Sequence, residues 1–336
     1  MTNLLYIGNK LSNKGKTVTS IETLGELLKA EGFAIETASN KVNKVYRLVD
    51  MLNSVIKYRK QTDFVLIDTY SSSNFYYALF VSQLCRFLRL KYIPVLRGGN
   101  LPNRLKSHPK LSKLIFNNAY KNVAPSLYMQ SSFEVLGYSN LVCIPNSIEI
   151  KNYPFKIRNI DKIKLLWVRS FSKIYNPLLA IQVLKALKDK HIDVELCMVG
   201  PDNDGSLEET KKYAEKLNVK VTFTGKLEKE EWVGISKNFN VFINTTNFDN
   251  MPVSVIEAMA LGLPVISTNV GGLPFLITNE VDGILIPPNN VEAFVQAIIE
   301  IKNQPEKIKT MVISARKTAE QFDWNIVKNQ WIKLLK

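Results

Sequence analysis

Short apolar runs that alternate with helical patterns are the feature that most restricts the fold of this chain. Residues 64–67 form a continuous apolar run that ends at Asp68, and residues 165–168 form another that ends at Arg169. Such runs are typical of parallel strands that are buried on both faces. Helical spacing of apolar residues follows in segments such as 20–28 and 177–187. The alternation predicts an α/β fold with parallel sheets covered by helices on both faces.

The length of the chain predicts more than one domain. At 336 residues it exceeds the size at which a single hydrophobic core usually keeps growing. A polar, proline-containing stretch over residues 149–164 interrupts the strand–helix alternation, which then restarts. We therefore predict two doubly wound domains, residues 1–155 and 156–320, joined by that linker and followed by a closing segment, residues 321–336.

The positive charge is concentrated in the first half of the chain. Residues 1–155 contain 20 Lys and Arg against 9 Asp and Glu, whereas the remainder contains 24 against 21. Attraction to an anionic membrane surface, attraction to nucleic acid and simple solubility each explain such an excess. Nucleic acid is disfavoured, because the chain has no zinc-finger spacing, ribonucleoprotein-type aromatic motif or dense basic helix.

One basic segment, residues 42–60, has apolar residues at helical spacing. Val45, Val49 and Ile56 are among them, and lysines such as Lys44 and Lys57 lie beside them. A helix of this kind either contacts an anionic membrane or packs on the core with a solvated face. The sequence leaves both readings open.

The cysteines and the N-terminus favour a cytoplasmic protein. Cys85, Cys143 and Cys197 are too far apart for a zinc site or a disulfide framework, which predicts free thiols in a reducing compartment. No signal-peptide pattern opens the sequence. The predicted location is the cytoplasm, with peripheral contact at the inner face of the membrane as an open option.

The motif richest in chemistry pairs two carboxylates. Asp249 lies in a loop, and Glu257 follows eight positions later in the first turns of a predicted helix. Unpaired amides at a helix start bind a diphosphate well, and a carboxylate accepts hydrogen bonds from sugar hydroxyls. Alternatively, Asp249 or Ser254 caps the helix and Glu257 lies on a solvated face.

These residues resemble the retaining glycosyltransferases of family 4, which have the GT-B fold. That family has an acidic-x7-Glu motif followed by Ala-Met-Ala-x-Gly-x-Pro-Val, and residues 249–265 match it with Asp249 and Glu257. Residues 144–148, 268–274 and 282–288 also look like family segments. The resemblance implies two Rossmann-like domains that face each other across a cleft. The first would bind the acceptor and the second the nucleotide sugar, and the closing helix would pack back on the first domain.

The resemblance also implies roles for individual residues. Glu257 matches the glutamate that holds the nucleotide ribose, Asp249 the residue on the donor sugar, and Arg169 the cation on the diphosphate. Lys173 is either a second cation or a solvated surface lysine. The other expected donor-binding residues are Asn250, Met251, Pro252, Val253, Gly200, Gly225, Lys226 and Gly15.

Three residues are expected on the acceptor side: Arg97, Gly98 and Asn100. Family members often have a histidine before this glycine. Arginine cannot act as a base at neutral pH, so Arg97 would instead bind phosphate or an acidic acceptor. In the donor motif, Asp249 replaces the usual glutamate, and its shorter side chain would shift donor choice or sugar orientation.

No metal or cofactor is expected. Asp202 and Asp204 form an Asp-x-Asp sequence, but the glycines and proline around it indicate a turn. His108 and His191 lie in lysine-rich surroundings that do not favour a general base.

The predicted function is transfer of a sugar from a UDP- or GDP-sugar to a hydroxyl of a lipid-linked or growing bacterial surface glycan, with retention of configuration. Two alternatives remain: a catalytically silent GT-B subunit that binds nucleotide or glycan, and a sugar-nucleotide epimerase. The donor and the glycan or glycolipid acceptor are the expected partners, with an anionic membrane as a further one.

Overall fold

The chain forms two compact units. A computed structural model describes residues 1–12 and 18–336. Unit 1 comprises Met1–Pro145 and Trp324–Lys336, and unit 2 comprises Asn146–Asp323.

Unit 1 is built on a parallel sheet of six strands in the order β2-β1-β3-β4-β5-β6. The strands are β1 (Asn3–Ile7), β2 (Ala34–Ala38), β3 (Phe64–Thr69), β4 (Lys91–Leu96), β5 (Asn122–Ala124) and β6 (Leu141–Cys143). All six residues of β3 are buried, as expected for a central strand covered on both faces.

Helices that connect the strands cover this sheet. They are α1 (Ser20–Ala30), α2 (Lys44–Tyr58), α3 (Phe75–Phe87), α4 (Leu101–Ser107), α5 (Pro109–Phe116) and α6 (Leu127–Glu134). The last helix of the chain, Trp324–Leu335, also belongs to this unit. Its residues Trp324, Val327, Trp331 and Leu335 are buried in one cluster with residues of β1 and β3.

Unit 2 has a second parallel sheet of six strands, in the order β12-β11-β10-β7-β8-β9. The strands are β7 (Ile163–Val168), β8 (Val194–Val199), β9 (Thr222–Gly225), β10 (Val241–Asn244), β11 (Val265–Thr268) and β12 (Ile284–Ile286). The helices are α7 (Pro177–Asp189), α8 (Ser206–Lys216), α9 (Lys229–Ser236), α10 (Val253–Ala260), α11 (Leu273–Leu276), α12 (Val291–Asn303) and α13 (Pro305–Glu320). With these, the closing helix Trp324–Leu335 is α14.

The strand order of unit 2 reverses between β7 and β10. From β7 the chain runs outward through β8 and β9, and it then returns to place β10 on the other side of β7. In open parallel sheets, ligands bind beyond the carboxyl ends of the strands at such a switch point. The loops that follow β7 and β10 are therefore the first place to look for a site.

The segment expected as a linker is largely part of unit 2. The structure divides the chain after Pro145, ten residues before the expected boundary, and again after Asp323. Residues Ile150–Asn152 form a short 3-10 turn, and Tyr153 is buried in the core of unit 2. The polar composition of the segment concealed these apolar anchors.

None of the helices within the described residues is long and apolar enough to cross a membrane.

The packing of α14 yields a stability prediction. Trp331 is 2% exposed, whereas Ile326 on the same helix is 44% exposed. We expect Trp331→Ala to lower the free energy of unfolding by about 3–5 kcal/mol, because it leaves a cavity in the core. Ile326→Ala, the matched control, should change it by less than about 1 kcal/mol. Urea denaturation measures both, and equal effects would contradict the packing described for α14.

Candidate functional site

Two oppositely charged side chains meet at the switch point of unit 2. Arg169 follows β7 directly, and Asp249 lies in the loop after β10. The Arg169 Nη2 and Asp249 Oδ2 atoms form an ion pair in which the side chains are 15% and 14% exposed. The guanidinium also lies over the Tyr175 ring, 4.0 Å from its centroid. The structure thus brings together the two residues predicted to hold the diphosphate and the donor sugar.

The ion pair leaves part of the arginine unsatisfied. Arg169 Nε is buried and has no hydrogen-bond acceptor among the described residues. The second oxygen of Asp249, Oδ1, accepts the Asn250 backbone N–H at 2.8 Å. A buried donor without an acceptor costs about 1–3 kcal/mol, so an anionic oxygen that approached this edge of the guanidinium would relieve that penalty.

Glycines let the loops around the pair approach one another. A Cβ atom on Gly200 would lie 1.8 Å from the Arg169 carbonyl oxygen, and its φ is +150°. A Cβ atom on Gly272 would lie 1.7 Å from the Asn250 carbonyl oxygen. The Gly272 N–H donates to the Asp249 carbonyl oxygen at 2.9 Å. A side chain at Gly200 would displace the loop that carries Arg169, and one at Gly272 would displace the loop that carries Asp249.

The start of helix α10 has no side-chain cap. Pro252 occupies the N-cap position, and no side-chain cap is formed there by any described residue. Ser254 Oγ is buried without a hydrogen-bond partner among the described residues, and Asp249 bonds to Arg169 and Asn250 instead. The capping alternative is therefore wrong, because neither candidate forms a cap. Amides and a hydroxyl at this positive helix end remain available to an anion.

Glu257 is held inside the unit. Its side chain is 5% exposed, and Oε1 accepts the Tyr153 hydroxyl at 2.6 Å and the Lys229 ammonium at 2.8 Å. Burial, together with the nearby Glu257 carboxylate, raises the pKa of Tyr153 well above its ordinary value. The solvated-face reading of Glu257 is wrong, because α10 is buried on this side. Oε2 accepts no hydrogen bond from the described residues.

Sequence reasoning missed Tyr153 and Lys229. Tyr153 lies in the segment read as a linker, 104 residues before Glu257. Lys229 is one of several charged residues at the start of α9 and looks like a surface lysine. Neither position has a local pattern that points to Glu257.

The other predicted donor-binding residues differ in their burial and in their contacts. Asn250, Met251 and Pro252 are buried around the start of α10, where Val253 is half-buried. The Gly225 carbonyl oxygen accepts the Gly200 N–H at 2.8 Å. The side chain of Lys173 is exposed, Lys226 pairs with Glu228 at 2.7 Å, and Gly15 lies outside the described residues. Their roles in binding stay predictions.

The Asp-x-Asp sequence is used within a turn. Asp202 Oδ1 accepts the Gly205 N–H at 3.1 Å, and Asp204 Oδ2 accepts the Ser172 hydroxyl at 2.8 Å and the Lys173 N–H at 3.1 Å. No group of three or more His, Cys, Asp or Glu suited to a metal ion occurs in residues 1–12 and 18–336.

Unit 1 has its own buried charge cluster at the carboxyl ends of its strands. Arg97 Nε lies 3.3 Å from Asp68 Oδ1, which also accepts the Tyr6 hydroxyl at 2.9 Å. Burial raises the pKa of Asp68, and the Arg97 guanidinium opposes that shift. The side chain of Arg97 is 12% exposed, so the fold itself supplies an anionic partner. Acceptor binding by Arg97 stays a prediction.

Gly98 and Asn100, which follow Arg97 in the chain, have structural roles. A Cβ atom on Gly98 would lie 2.5 Å from the Ser71 backbone nitrogen, so this position requires glycine for close approach. Asn100 Oδ1 accepts the Asn103 amide at 2.6 Å within the first turn of α4.

Comparisons with known proteins agree on the architecture. The family model described as glycosyl transferases group 1 matches residues 150–318. A sucrose-phosphate synthase from Thermosynechococcus elongatus superposes with a TM-score of 0.83 at 17% identity, covering 99% of this chain and 98% of that one. HepE from Anabaena, in complex with UDP-glucose, gives 0.81 at 17% identity, with 100% and 99% covered. The predicted GT-B fold, with two doubly wound α/β domains, is therefore confirmed.

A relative by sequence is the UDP-Gal:alpha-D-GlcNAc-diphosphoundecaprenol alpha-1,3-galactosyltransferase of Escherichia coli. It is 26% identical over 200 residues, which are 55% of this chain and 50% of that protein. The match thus spans about half the length of this relative.

The Tyr153–Glu257 contact yields a second prediction. We expect Tyr153→Phe to lower the free energy of unfolding by about 1.5–3 kcal/mol, because Glu257 loses a hydrogen bond to a charged group. The raised pKa of Tyr153 gives the sign of the pH dependence: the stabilisation is present below the unfolded tyrosine pKa of about 10 and is lost as pH rises above it.

Denaturation at neutral and alkaline pH measures this difference. The matched control is Tyr175→Phe, since the Tyr175 hydroxyl forms no hydrogen bond with a described residue and its ring contact with Arg169 is kept. A Tyr153→Phe protein as stable as the control at neutral pH would show that the hydroxyl does not hold Glu257.

Proposed function

Because the chain belongs to the glycosyl transferases group 1 family, we propose that it transfers a sugar from a UDP- or GDP-sugar to an acceptor hydroxyl with retention of configuration. One observation carries the proposal: Arg169 and Asp249 meet at the switch point of unit 2, where α10 begins. A cation, an acceptor of hydrogen bonds and open helix amides are together the groups that a diphosphate sugar requires.

Stabilisation of the leaving group is the main catalytic effect in this proposal. As the bond from the sugar to the diphosphate breaks, negative charge develops on the phosphate oxygens. Arg169, with its unsatisfied Nε, and the amides at the start of α10 meet that charge without reorganisation. Asp249 orients the donor sugar, and Glu257, with Oε2 open, accepts from the ribose hydroxyls.

In this proposal the acceptor attacks, and the diphosphate departs, on the same face of the sugar. No side chain at this site stands out as a covalent nucleophile, and family resemblance favours retention. We therefore propose a same-face displacement in which the acceptor oxygen attacks the anomeric carbon as the diphosphate departs. The departing phosphate oxygen takes the acceptor proton, so the products are the glycosylated acceptor and a nucleoside diphosphate.

The proposed acceptor is a lipid-linked or growing surface glycan at the inner face of a bacterial membrane. The related enzyme from E. coli acts, by its name, on a sugar attached to diphosphoundecaprenol. Unit 1 carries the basic excess of the chain, which would attract an anionic membrane by about 1 kcal/mol per well-placed cation.

Helix α2 has the surface for such a membrane contact. It packs on the core through Met51 and Val55. Its opposite side exposes apolar residues at helical spacing, which together with Val42 just before the helix we call the α2 apolar face: Val42 (60% exposed), Val45 (68%), Tyr46 (70%), Val49 (47%) and Ile56 (43%). Within residues 41–60 the charged residues are six Lys and Arg and one Asp. This combination favours a peripheral, anionic-membrane contact.

Donor binding and turnover test the enzymatic proposal. A panel of nucleotide sugars should contain one UDP- or GDP-sugar that raises the melting temperature, and nucleoside diphosphate should be released when an acceptor extract is added. Arg169→Lys keeps a charge but loses the planar guanidinium. We expect it to slow release roughly 100-fold, as for loss of one transition-state donor.

Glu257→Gln should weaken donor binding by about tenfold or more, because a charged hydrogen-bond acceptor is lost. Glu320→Gln makes the same charge change in unit 2 at an exposed residue paired with Arg316 and should leave binding unchanged. Tight nucleotide binding without release for any acceptor would support a silent subunit instead. Interconversion of nucleotide sugars without an acceptor would support an epimerase.

Co-sedimentation with lipid vesicles tests the membrane contact. Wild-type protein should bind vesicles that contain phosphatidylglycerol and not those of phosphatidylcholine alone. Val45→Asn with Val49→Asn should weaken binding by about tenfold or more, because two apolar side chains no longer enter the lipid. The matched control is Leu127→Asn with Val135→Asn, at residues 56% and 86% exposed on unit 1. Equal losses for both double variants would refute a contact through α2.

A further inference from the structure

Unit 1 contains a polar cavity that has no role in the reaction proposed above. Its volume is about 720 Å³, and it lies where β1 and β2 end, against one side of α2. The lining residues on which the inference depends are Lys10, Asn40, Lys41, Asp50, Asn53 and Lys57. Lys10, Asn40 and Lys41 belong to the loops that follow β1 and β2, whereas Lys57 lies in the last turn of α2.

The lysines around this cavity have no close carboxylate partner among the described residues, although Glu36 attracts the Lys57 ammonium at longer range. Within residues 1–12 and 18–336, none of Lys10, Lys41 and Lys57 forms an ion pair. Among the described residues, Lys10 Nζ forms a hydrogen bond with a hydroxyl, Thr37 Oγ1, at 3.4 Å. The Lys57 ammonium lies 4.7 Å from the centroid of the Tyr58 ring. Three positive charges around one concave surface fit a multiply charged anion such as a phosphate group.

The remaining polar groups fit hydroxyls rather than a second anion. Asp50 lines the same cavity, and one of its oxygens, Oδ2, accepts the Ser39 hydroxyl. Its other oxygen, Oδ1, accepts no bond from a described residue. A carboxylate repels phosphate but accepts well from sugar hydroxyls, and the side-chain amides of Asn40 and Asn53 both donate and accept. The cavity therefore suits a ligand with a phosphate at one end and hydroxyls at the other.

The cavity borders the α2 apolar face. Asp50, Asn53 and Lys57 are spaced by three and four residues on one side of α2, next to Val49 and Ile56 on the apolar side. A lipid chain on that face would leave its phosphate at the lysines.

We propose that this cavity binds the phosphorylated sugar of a lipid-linked acceptor. Lys10, Lys41 and Lys57 hold the phosphate, Asp50 and the two asparagines contact the sugar, and the lipid follows the α2 apolar face. The identification of the ligand as an acceptor rests on the proposed function. Binding of a sugar phosphate in the cavity can be tested without turnover.

Calorimetric titration with glucose 1-phosphate, glucose and inorganic phosphate is the first test. Wild-type protein should bind glucose 1-phosphate more tightly than phosphate, and glucose more weakly than either. Lys41→Gln with Lys57→Gln should weaken binding of both phosphate compounds by about tenfold or more, since two charged hydrogen bonds are lost. Lys110→Gln with Lys113→Gln, on α5 of the same unit, makes the same charge change and should have little effect.

The Asp50→Asn variant tests binding of the sugar separately from binding of the phosphate. It should reduce the preference for glucose 1-phosphate over phosphate while phosphate binding is kept or strengthened, because a negative charge leaves the cavity. Melting temperatures of all variants establish that they fold. If the control pair loses as much affinity as the cavity pair, or if Asp50→Asn leaves the preference unchanged, the assignment of the cavity is wrong.

A third titration, with a lipid-linked compound, tests whether the bound sugar phosphate belongs to a lipid. The dodecyl phosphodiester of glucose 1-phosphate, presented in detergent micelles, should bind more tightly than glucose 1-phosphate itself. Val45→Asn with Val49→Asn should remove that gain. Binding no tighter than the soluble compound would overturn the lipid-linked part of the proposal. Donor-induced thermal shifts should be the same in the cavity variants and wild type, so failure of the cavity and failure of the proposed transferase give different results.

Discussion

The contact between Arg169 and Asp249 is the interaction on which the proposed donor site of unit 2 depends. Both side chains are largely withdrawn from water, and removing either one would leave a partly buried charge without its partner. The contact requires the loops after β7 and β10 to be held in place. Gly200 packs closely on the first loop and Gly272 on the second, which is possible because neither has a Cβ atom. Sheet topology, glycine placement and charge pairing therefore act together. The strand order brings the two loops side by side, and each glycine allows a further loop to pack against one of them.

Local sequence could predict that Arg169 and Asp249 lie close together, because both residues belong to short, dense motifs. Their roles in binding stay predictions. Parallel strands are apolar throughout and end abruptly, so the residues after them, including Arg169, stand out. Asp249 and Glu257 belong to one continuous segment. Tyr153 could not be found in the same way, because it reaches Glu257 across 104 residues from a stretch whose composition is that of a loop. Contacts of this kind are determined by the tertiary packing of α10 and leave no periodic signal.

Arg97 and Arg169 show that residue type and position along the chain do not by themselves identify an arginine that binds a ligand. Each follows a central strand of a parallel sheet, and each was expected to meet a ligand. Arg97 finds its carboxylate, Asp68, inside the adjacent strand β3, where burial raises the pKa of that acid. Arg169 finds its carboxylate in a loop and keeps an unsatisfied Nε. The difference lies in where the neighbouring strand carries an acid. Asp68 lies near the carboxyl end of β3, whereas Glu195 of β8 lies near the start of its strand.

The two units divide their charges in a way that matches two kinds of ligand. In unit 2, the basic and acidic residues nearly balance over the second half of the chain, and a single arginine with a helix start faces the proposed diphosphate. A small, deeply bound ligand needs few, well-placed charges. In unit 1, excess lysines surround a polar cavity and flank the α2 apolar face. A membrane, or an acceptor that is anchored in one, is an extended anionic surface, and many loosely placed cations attract it better than one fixed pair. The uneven charge along the sequence is therefore what the proposal requires, with a soluble donor on unit 2 and a membrane-held acceptor on unit 1.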